Sequence, residues 1–245
     1  MTRHLLVIGA QRSGTTSVHA LLDRHPEITM ARPSRPEPKV FCDPEACAKG
    51  AAWYRSTFFR HASPGQLLGD KSTSYLEDPE APRRAAAMLG TVRVLVVLRD
   101  PVLRAVSNWR FSTAHGLEDR PLEAALRENL AGPREWDRAV TSVSPFAYLE
   151  RGRYADYLRP WMATFPETTH VAFLPELRED EAAVNALWRA LEVSPAGGAR
   201  RLEEPENASG GPPPALSEET CGMVRAYYES SDGELAALLG RSLPW

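Results

Sequence analysis

The sequence predicts an α/β fold of three layers, a central and mostly parallel sheet flanked by helices. Short apolar runs rich in valine, leucine and isoleucine recur along the chain, and each is uninterrupted rather than alternating. Runs of that kind suit strands covered on both faces. They alternate with helical stretches, an order that implies parallel strands joined by helical crossovers. The chain has 245 residues, 43% of them hydrophobic and 25% charged. That size and composition suit one globular domain, residues 1–245, with a substantial core.

The elements follow in order. The first strand is expected at HLLVIG (4–9) and the first helix at 15–24. QLLGDK (66–71) reads as the second strand, followed by a helix at 79–89, and VRVLVVL (92–98) as the third. The next helix, 101–114, has a marked start, because Asp100 can cap it and Pro101 occupies its first position. Helices at 121–130 and 153–163 precede the fourth strand, THVAFLP (169–175), and another helix is expected at 180–191. Residues 202–217 are rich in Pro, Gly and Ser and read as an irregular loop before a helix pair at 217–228 and 232–240. No internal repeat is evident. In such a fold the strand-to-helix connections gather at one edge, where α/β proteins bind ligands.

Charge narrows the function classes. The formal net charge of −3 argues against a nucleic-acid binder that works by general electrostatics, so an anion site must be a local cluster. Lysine occurs only at Lys39, Lys49 and Lys71, against abundant arginine, so each lysine is informative. Cys42, Cys47 and Cys221 lack the close spacing of a zinc site and read as small buried thiols, which suits a reducing compartment. No charged-then-apolar leader precedes the first strand, and no apolar run is long enough to cross a bilayer. The expectation is a soluble, cytoplasmic protein without a transmembrane segment.

The stretch LLVIGAQRSGTTSVHALL (5–22) nearly spells a phosphate loop, G-x-x-x-x-G-K-[ST], with Gly9 and Gly14 in place. The lysine is missing; Thr15 and Thr16 follow Gly14, and the nearest cation is Arg12. A strand ending at Gly9 and a helix starting near Thr15 aim backbone N–H groups and the positive end of a helix dipole at one point. Arg12 adds a planar fork suited to phosphate oxygens, and Ser13, Thr15 and Thr16 add hydroxyls. Without further support the same residues are only a tight turn with a capped helix. The fold is thus P-loop-like, but the lysine and magnesium contacts of an ATPase are not provided for. A ligand with one phosphate there, already carrying its transferable group, needs neither. The 5′-phosphosulfate of 3′-phosphoadenosine-5′-phosphosulfate (PAPS) is such a ligand.

PAPS requires a second anion site for its 3′-phosphate. VRVLVVLRDPVLRAVSNWRFSTAHG (92–116) offers a buried strand ending at Arg99 and a helix carrying Ser107 two turns later. Here a resemblance enters. QRSGTT (11–16) resembles the 5′-phosphosulfate loop of PAPS-dependent sulfotransferases, and LRDPVLRAVSNW (98–109) resembles their 3′-phosphate motif, with Arg99 and Ser107 on the matching positions. Other matches point to the branch that includes the heparan sulfate N- and O-sulfotransferases and bacterial relatives. EPKVF (37–41) with WYRSTFF (53–59) resembles the segment carrying that branch's catalytic glutamate. DKSTSYL (70–76) resembles its Glu-Lys-Ser motif, and GRYADYLRPWMATFP (152–166) a later block. Three departures stand out: Arg12 where many members have lysine, Asp70 where glutamate is usual, and no C-terminal basic loop bracketed by cysteines.

The resemblance implies a sulfotransferase with PAPS as co-substrate, 3′,5′-ADP as product and no required metal. It makes Glu37 the candidate base, and Lys39, Lys71 and Arg12 the candidate charge stabilisers. Ser13, Gly14, Thr15, Thr16, Arg99 and Ser107 join Arg12 in holding the nucleotide, with Arg200 or Arg201 as a possible completion of the 3′-phosphate site. His25 and His115 read as structural, His115 being the reserve base. The expected acceptor is a hydroxyl, less favourably an amine, of a small metabolite, glycolipid or natural product, its pocket shaped by loops at 42–63, 112–145 and 202–217. Two alternatives stay open: a small-molecule kinase with Asp70 or Asp100 on magnesium, and a non-catalytic nucleotide-binding protein.

Overall fold

A computed structural model of the chain describes residues 2–137, 143–195, 201–203 and 214–245. It contains five strands: β1 (His4–Gly9), β2 (Ile28–Met30), β3 (Leu67–Lys71), β4 (Arg93–Leu98) and β5 (Thr169–Phe173). They form one sheet in the order β2-β3-β1-β4-β5, and every pairing is parallel. The helices are α1 (Thr15–Asp23), α2 (Pro44–Ala48), α3 (Gly50–Phe58), α4 (Ala81–Leu89), α5 (Pro101–Ala114), α6 (Leu122–Asn129), α7 (Tyr154–Thr164), α8 (Leu174–Glu179), α9 (Glu181–Ala190) and α10 (Glu218–Leu239). No helix among the described residues is long and apolar enough to cross a membrane.

The chain divides into two compact units, Met1–Leu98 with Tyr157–Pro205, and Arg99–Asp156 with Glu206–Trp245. The first holds the sheet. Leu5, Val7, Leu95 and Val97 pack in one cluster with Val18, Leu21 and Leu22 of α1 and Val184, Leu187 and Trp188 of α9. By strand alternation Leu6, Ile8, Val94, Val96 and Leu98 face the other side, and all are fully buried. That two-sided burial is why these strands read as continuous apolar runs. In the second unit α5, α6 and α10 share a core that includes Val102, Val106, Leu126, Tyr148, Leu149 and Tyr228. Asp100 starts α5 as expected, its Oδ1 accepting from the amides of Val102 (2.8 Å) and Leu103 (3.3 Å).

The structure departs from expectation in several places. Residues 42–63, expected as a loop, contain α2 and α3, and Asp43 caps α2 by accepting from the Glu45 amide at 2.9 Å with Pro44 at the helix start. The expected C-terminal helix pair is one helix of 22 residues, α10. Val224, Tyr228, Ser231 and Leu235 all lie on its buried face, at a spacing that needs an uninterrupted helix. Burial along that face outweighs the roughly 1 kcal/mol that Gly233 costs in a helix interior. The short strand β2 and helix α8 were not expected either. The cysteines are free but half-buried rather than buried. Most of the 202–217 segment, residues 204–213, lies outside the described residues, as does Arg200.

His4 opens β1 with 2% of its surface exposed and neither ring nitrogen hydrogen-bonded. Its ring packs near Tyr54 and Phe59, at centroid distances of 5.9 and 6.5 Å. Burial, and next the Arg55 charge, lowers its pKa to about 4. The folded imidazole therefore stays neutral where the unfolded chain, with an ordinary value of about 6.5, takes up a proton. Stability contributed by this site is whole above about pH 6.5 and falls as the pH drops from there towards 4. The expected loss between pH 7 and pH 5 is about 2 kcal/mol. Urea unfolding of the parent and of His4→Leu at both pH values should show a shallower loss in the variant. Equal losses would mean that His4 does not set this dependence.

Candidate active site

The carboxyl ends of β1 and β3 leave the sheet side by side. Their register sets Val7 opposite Lys71, and the pairing continues past the strands, with the Ser72 amide donating to Val7 O and the Leu76 amide to Ile8 O, both at 3.1 Å. The segment 72–76 thus lies against the beginning of the loop that follows Gly9. A Cβ on Gly9 would stand 2.9 Å from Leu76 Cδ2, so the close approach requires glycine.

The loop turns tightly. Arg12 and Gly14 have positive φ, 67° and 80°. Gly14 is the N-cap of α1 and provides no side-chain cap, which leaves the first amides of the helix to another acceptor. Ser13 is fully buried, and its hydroxyl has no hydrogen-bond partner among the described residues. A buried hydroxyl without a partner is costly unless a ligand supplies one. Thr15 is buried and Thr16 exposed at the start of α1. The loop therefore leaves a buried hydroxyl and the start of a helix open to an acceptor.

Beside it, Glu37 and Lys71 meet in an ion pair. Lys71 Nζ donates to Glu37 Oε1 at 2.6 Å, and the two side chains are only 10% and 17% exposed. Glu37 Oε2 accepts from Thr73 twice, from its amide at 2.9 Å and its hydroxyl at 3.1 Å. Three donors thus fix the carboxylate. Lys39, with φ 49°, turns the chain after Glu37, and its amide donates to Ser72 Oγ at 2.9 Å. The structure brings Glu37 and Lys71 together and ties Lys39 to the same strand end.

Behind this pair lies Asp70, singled out in the sequence, with partners that were not. Ser72 donates to Asp70 Oδ1 at 2.8 Å, while Tyr54 and Tyr75 donate to Asp70 Oδ2 at 2.9 and 2.7 Å. Asp70 is fully buried, and desolvation pushes its pKa up to about 6 against the three donated bonds. With both oxygens occupied by hydroxyls, Asp70 is poorly placed as a metal ligand. His19 on α1 was also overlooked; burial lowers its pKa, and the charges of Lys71 and Glu37 both act on it.

In the second unit, Arg99 directly follows β4, and its carbonyl accepts from the Tyr154 hydroxyl at 2.8 Å. Ser107 lies half-buried on α5. Asp100, besides capping α5, pairs through Oδ2 with Arg225 at 2.5 Å, so its carboxylate serves the helices around it. His25 accepts from the Glu27 amide at Nδ1 (3.1 Å) and contacts Ser194 O through Nε2 (2.7 Å), a structural arrangement. His115 is exposed, with Nδ1 2.8 Å from Phe111 O. Arg201 is exposed beside the buried Leu202.

A family model described as the sulfotransferase domain matches residues 2–175. The chain belongs to the sulfotransferase family. It is 28% identical over 195 residues to the bifunctional heparan sulfate N-deacetylase/N-sulfotransferase 2 of Homo sapiens, covering 78% of this chain and 22% of that protein. To the heparan sulfate glucosamine 3-O-sulfotransferase 3B1 of Mus musculus it is 33% identical over 161 residues, covering 66% and 38%. The chain thus spans 22% and 38% of the length of these two relatives. A sulfotransferase from Alicyclobacillus acidocaldarius has the same fold, with a TM-score of 0.79 over 99% of this chain and 98% of that one, at 19% identity.

In this family member the loop geometry makes Gly14 a sensitive position. A Cβ there would lie 2.5 Å from Leu174 Cδ1, and the φ of 80° disfavours any L side chain. Gly14→Ala is expected to lower the unfolding free energy by about 1–2 kcal/mol, measured by urea denaturation. Unchanged stability would show that the loop can take another conformation at no cost.

Proposed function

We propose that the chain moves a sulfuryl group from PAPS to a hydroxyl of a small acceptor, releasing 3′,5′-ADP, and that residues 1–245 act as one sulfotransferase domain. The observation that carries this reading is the Glu37–Lys71 pair, held at 2.6 Å at the end of β3 beside the anion loop after β1. It places an acceptor for a proton and a compact positive charge within one site, which a sensor that only binds nucleotide does not need.

In this reading the α1 amides, Arg12, Ser13, Gly14, Thr15 and Thr16 hold the 5′-phosphosulfate, and Arg99 and Ser107 the 3′-phosphate. Glu37 takes the proton of the acceptor hydroxyl as its oxygen bonds to sulfur. The bond between sulfur and the bridging oxygen breaks, and its electron pair stays on the departing 5′-phosphate. Lys71 and Lys39 stabilise the charge that builds there, an electrostatic role like that of cations in phosphoryl transfer. Because Lys71 is bonded to Glu37, engaging the bridging oxygen requires its ammonium to share or leave that bond. No metal is required for these steps.

The acceptor is proposed as a hydroxylated metabolite, glycolipid or natural product. The net charge of −3 is a poor match for a long polyanion, although relatives are named for heparan sulfate. Free cysteines fit a cytoplasmic setting.

Titration calorimetry tests the donor: 3′,5′-ADP should bind without magnesium, whereas a preference for ATP with magnesium would sink this reading in favour of a kinase. Arg99→Ala should weaken 3′,5′-ADP roughly 10- to 100-fold, as for loss of a charge-assisted contact, and Ser107→Ala less. Unchanged affinity in both would remove them from the nucleotide site.

Glu37→Gln should bind 3′,5′-ADP nearly as the parent does and turn over about 10²–10⁴ times more slowly. An acceptor with a more acidic hydroxyl should restore Glu37→Gln more than Lys71→Ala, because only the first variant lacks deprotonation. Equal restoration, read as kcat on two acceptors, would place the base elsewhere, with His115 next to be tested.

A further inference from the structure

Asp70 has an environment that a surface of the sheet would not require. It lies at the next-to-last position of β3 with no exposed surface, and its carboxylate collects three hydroxyl donors from two parts of the chain. Tyr54 comes from α3, while Ser72 and Tyr75 follow β3. Tyr54, Tyr75 and Phe41 pack around it, with ring centroids 5.7 Å apart for Phe41 and Tyr54 and 5.2 Å for Phe41 and Tyr75. Because Ser72 Oγ gives its proton to Asp70, its lone pairs are left to accept the Lys39 amide, a bond that ties this network to the 37–39 segment.

We propose that Asp70 is a positioning residue: through Ser72 it fixes the Lys39 amide, and so sets the left-handed turn that delivers Glu37 to Lys71 and Thr73. The chain from Asp70 Oδ1 to Ser72 Oγ to Lys39 N is two hydrogen bonds, 2.8 and 2.9 Å. Lys39 adopts φ 49°, a conformation that a side-chain-bearing residue holds only when its surroundings impose it. Two residues earlier, Glu37 makes three bonds to Lys71 and Thr73, which flank Ser72. Ser72 therefore grips the same loop from the middle of the segment that Glu37 grips from either side. The tyrosines orient the carboxylate, leaving Oδ1 to the serine. A carboxylate suits this role because it only accepts; a carboxamide would turn an N–H₂ towards a hydroxyl that has its own proton to donate.

The inference rests on the reading that Glu37 and Lys39 serve sulfuryl transfer, and two separate measurements keep the two apart. The first is amide hydrogen exchange at Lys39, which needs no substrate. Ser72→Ala leaves the Asp70–tyrosine bonds in place and removes both bonds of the serine hydroxyl, to Asp70 and to Lys39. It should speed exchange at Lys39 on the order of tenfold, while amides of β1 and β4 keep the parent's rates. Ser72→Thr, which keeps the hydroxyl, should restore protection. Asp70→Asn should act in the same direction, and if it fails to fold, the serine variants carry the test. The second measurement is kcat with PAPS: Ser72→Ala should lower it about tenfold or more with the affinity for 3′,5′-ADP within about twofold of the parent, and Ser72→Thr should recover it. Unchanged exchange at Lys39 in Ser72→Ala would overturn the positioning role. Faster exchange with unchanged kcat would uphold the tether and overturn the catalytic reading of the 37–39 segment.

Discussion

The parallel pairing of β1 with β3 is the constraint on which the rest of the site depends. With Val7 set opposite Lys71, the two strands end together, and the backbone bonds from Ser72 and Leu76 carry the pairing into the loops beyond. One register thereby fixes both the anion loop and the lysine that stands beside it. A slip of one residue would turn Lys71 into the core and Asp70 out of it, at the cost of an unpaired buried ammonium. Gly9 and Gly14 permit the close approaches that this arrangement imposes: backbone against Leu76 at one end of the loop, and against Leu174 at the other.

Buried polar groups are then used at two depths. Nearer the surface, Glu37 and Lys71 are partly shielded and paired, with Thr73 giving Glu37 two further bonds. Such a pair contributes little net stability, since desolvation offsets much of its attraction, but removing either partner leaves the other stranded. Beneath it, Asp70 lies out of reach of water, satisfied by three hydroxyls rather than by a cation. Among the described residues the deeper group has no cationic partner. It is thus suited to hold geometry, whereas Lys71 is suited to meet an anion.

The second unit uses its charges differently. Glu118 is buried and accepts from the amides of Asp119 and Arg120 (each 3.0 Å), from the Arg120 guanidinium and from the Tyr148 hydroxyl (2.8 Å). Its pKa is drawn down to about 2: the donated bonds, led by that of Arg120, overcome the opposing effect of burial. Asp100 likewise spends its oxygens on the α5 amides and Arg225. These carboxylates fasten loops to helices, and their full satisfaction leaves them no acid–base work. The buried Ser13 hydroxyl, without a hydrogen-bond partner among the described residues, contrasts with them.

The sequence by itself determined four of the five strands and the glycine spacing of the loop after β1. Strands covered on both faces leave continuous apolar runs, and a phosphate loop leaves its glycines at fixed spacing, because both are local consequences of chain geometry. The starts of α2 and α5 were equally open to reading in Asp43-Pro44 and Asp100-Pro101, though only the second was used. The three residues of β2 were too few for any pattern, and the break expected between 228 and 232 is absent because α10 buries one continuous face. Glu37, Lys39 and Lys71 could be named from their resemblance to a family, but not joined. Only the tertiary structure decided that Glu37 lies on Lys71 and that Asp70 is sealed beneath them under two tyrosines. The Glu37–Lys71 and Tyr54–Asp70 contacts link residues 34 and 16 positions apart, and which side chains meet over such distances depends on strand register and loop closure rather than on any local spacing.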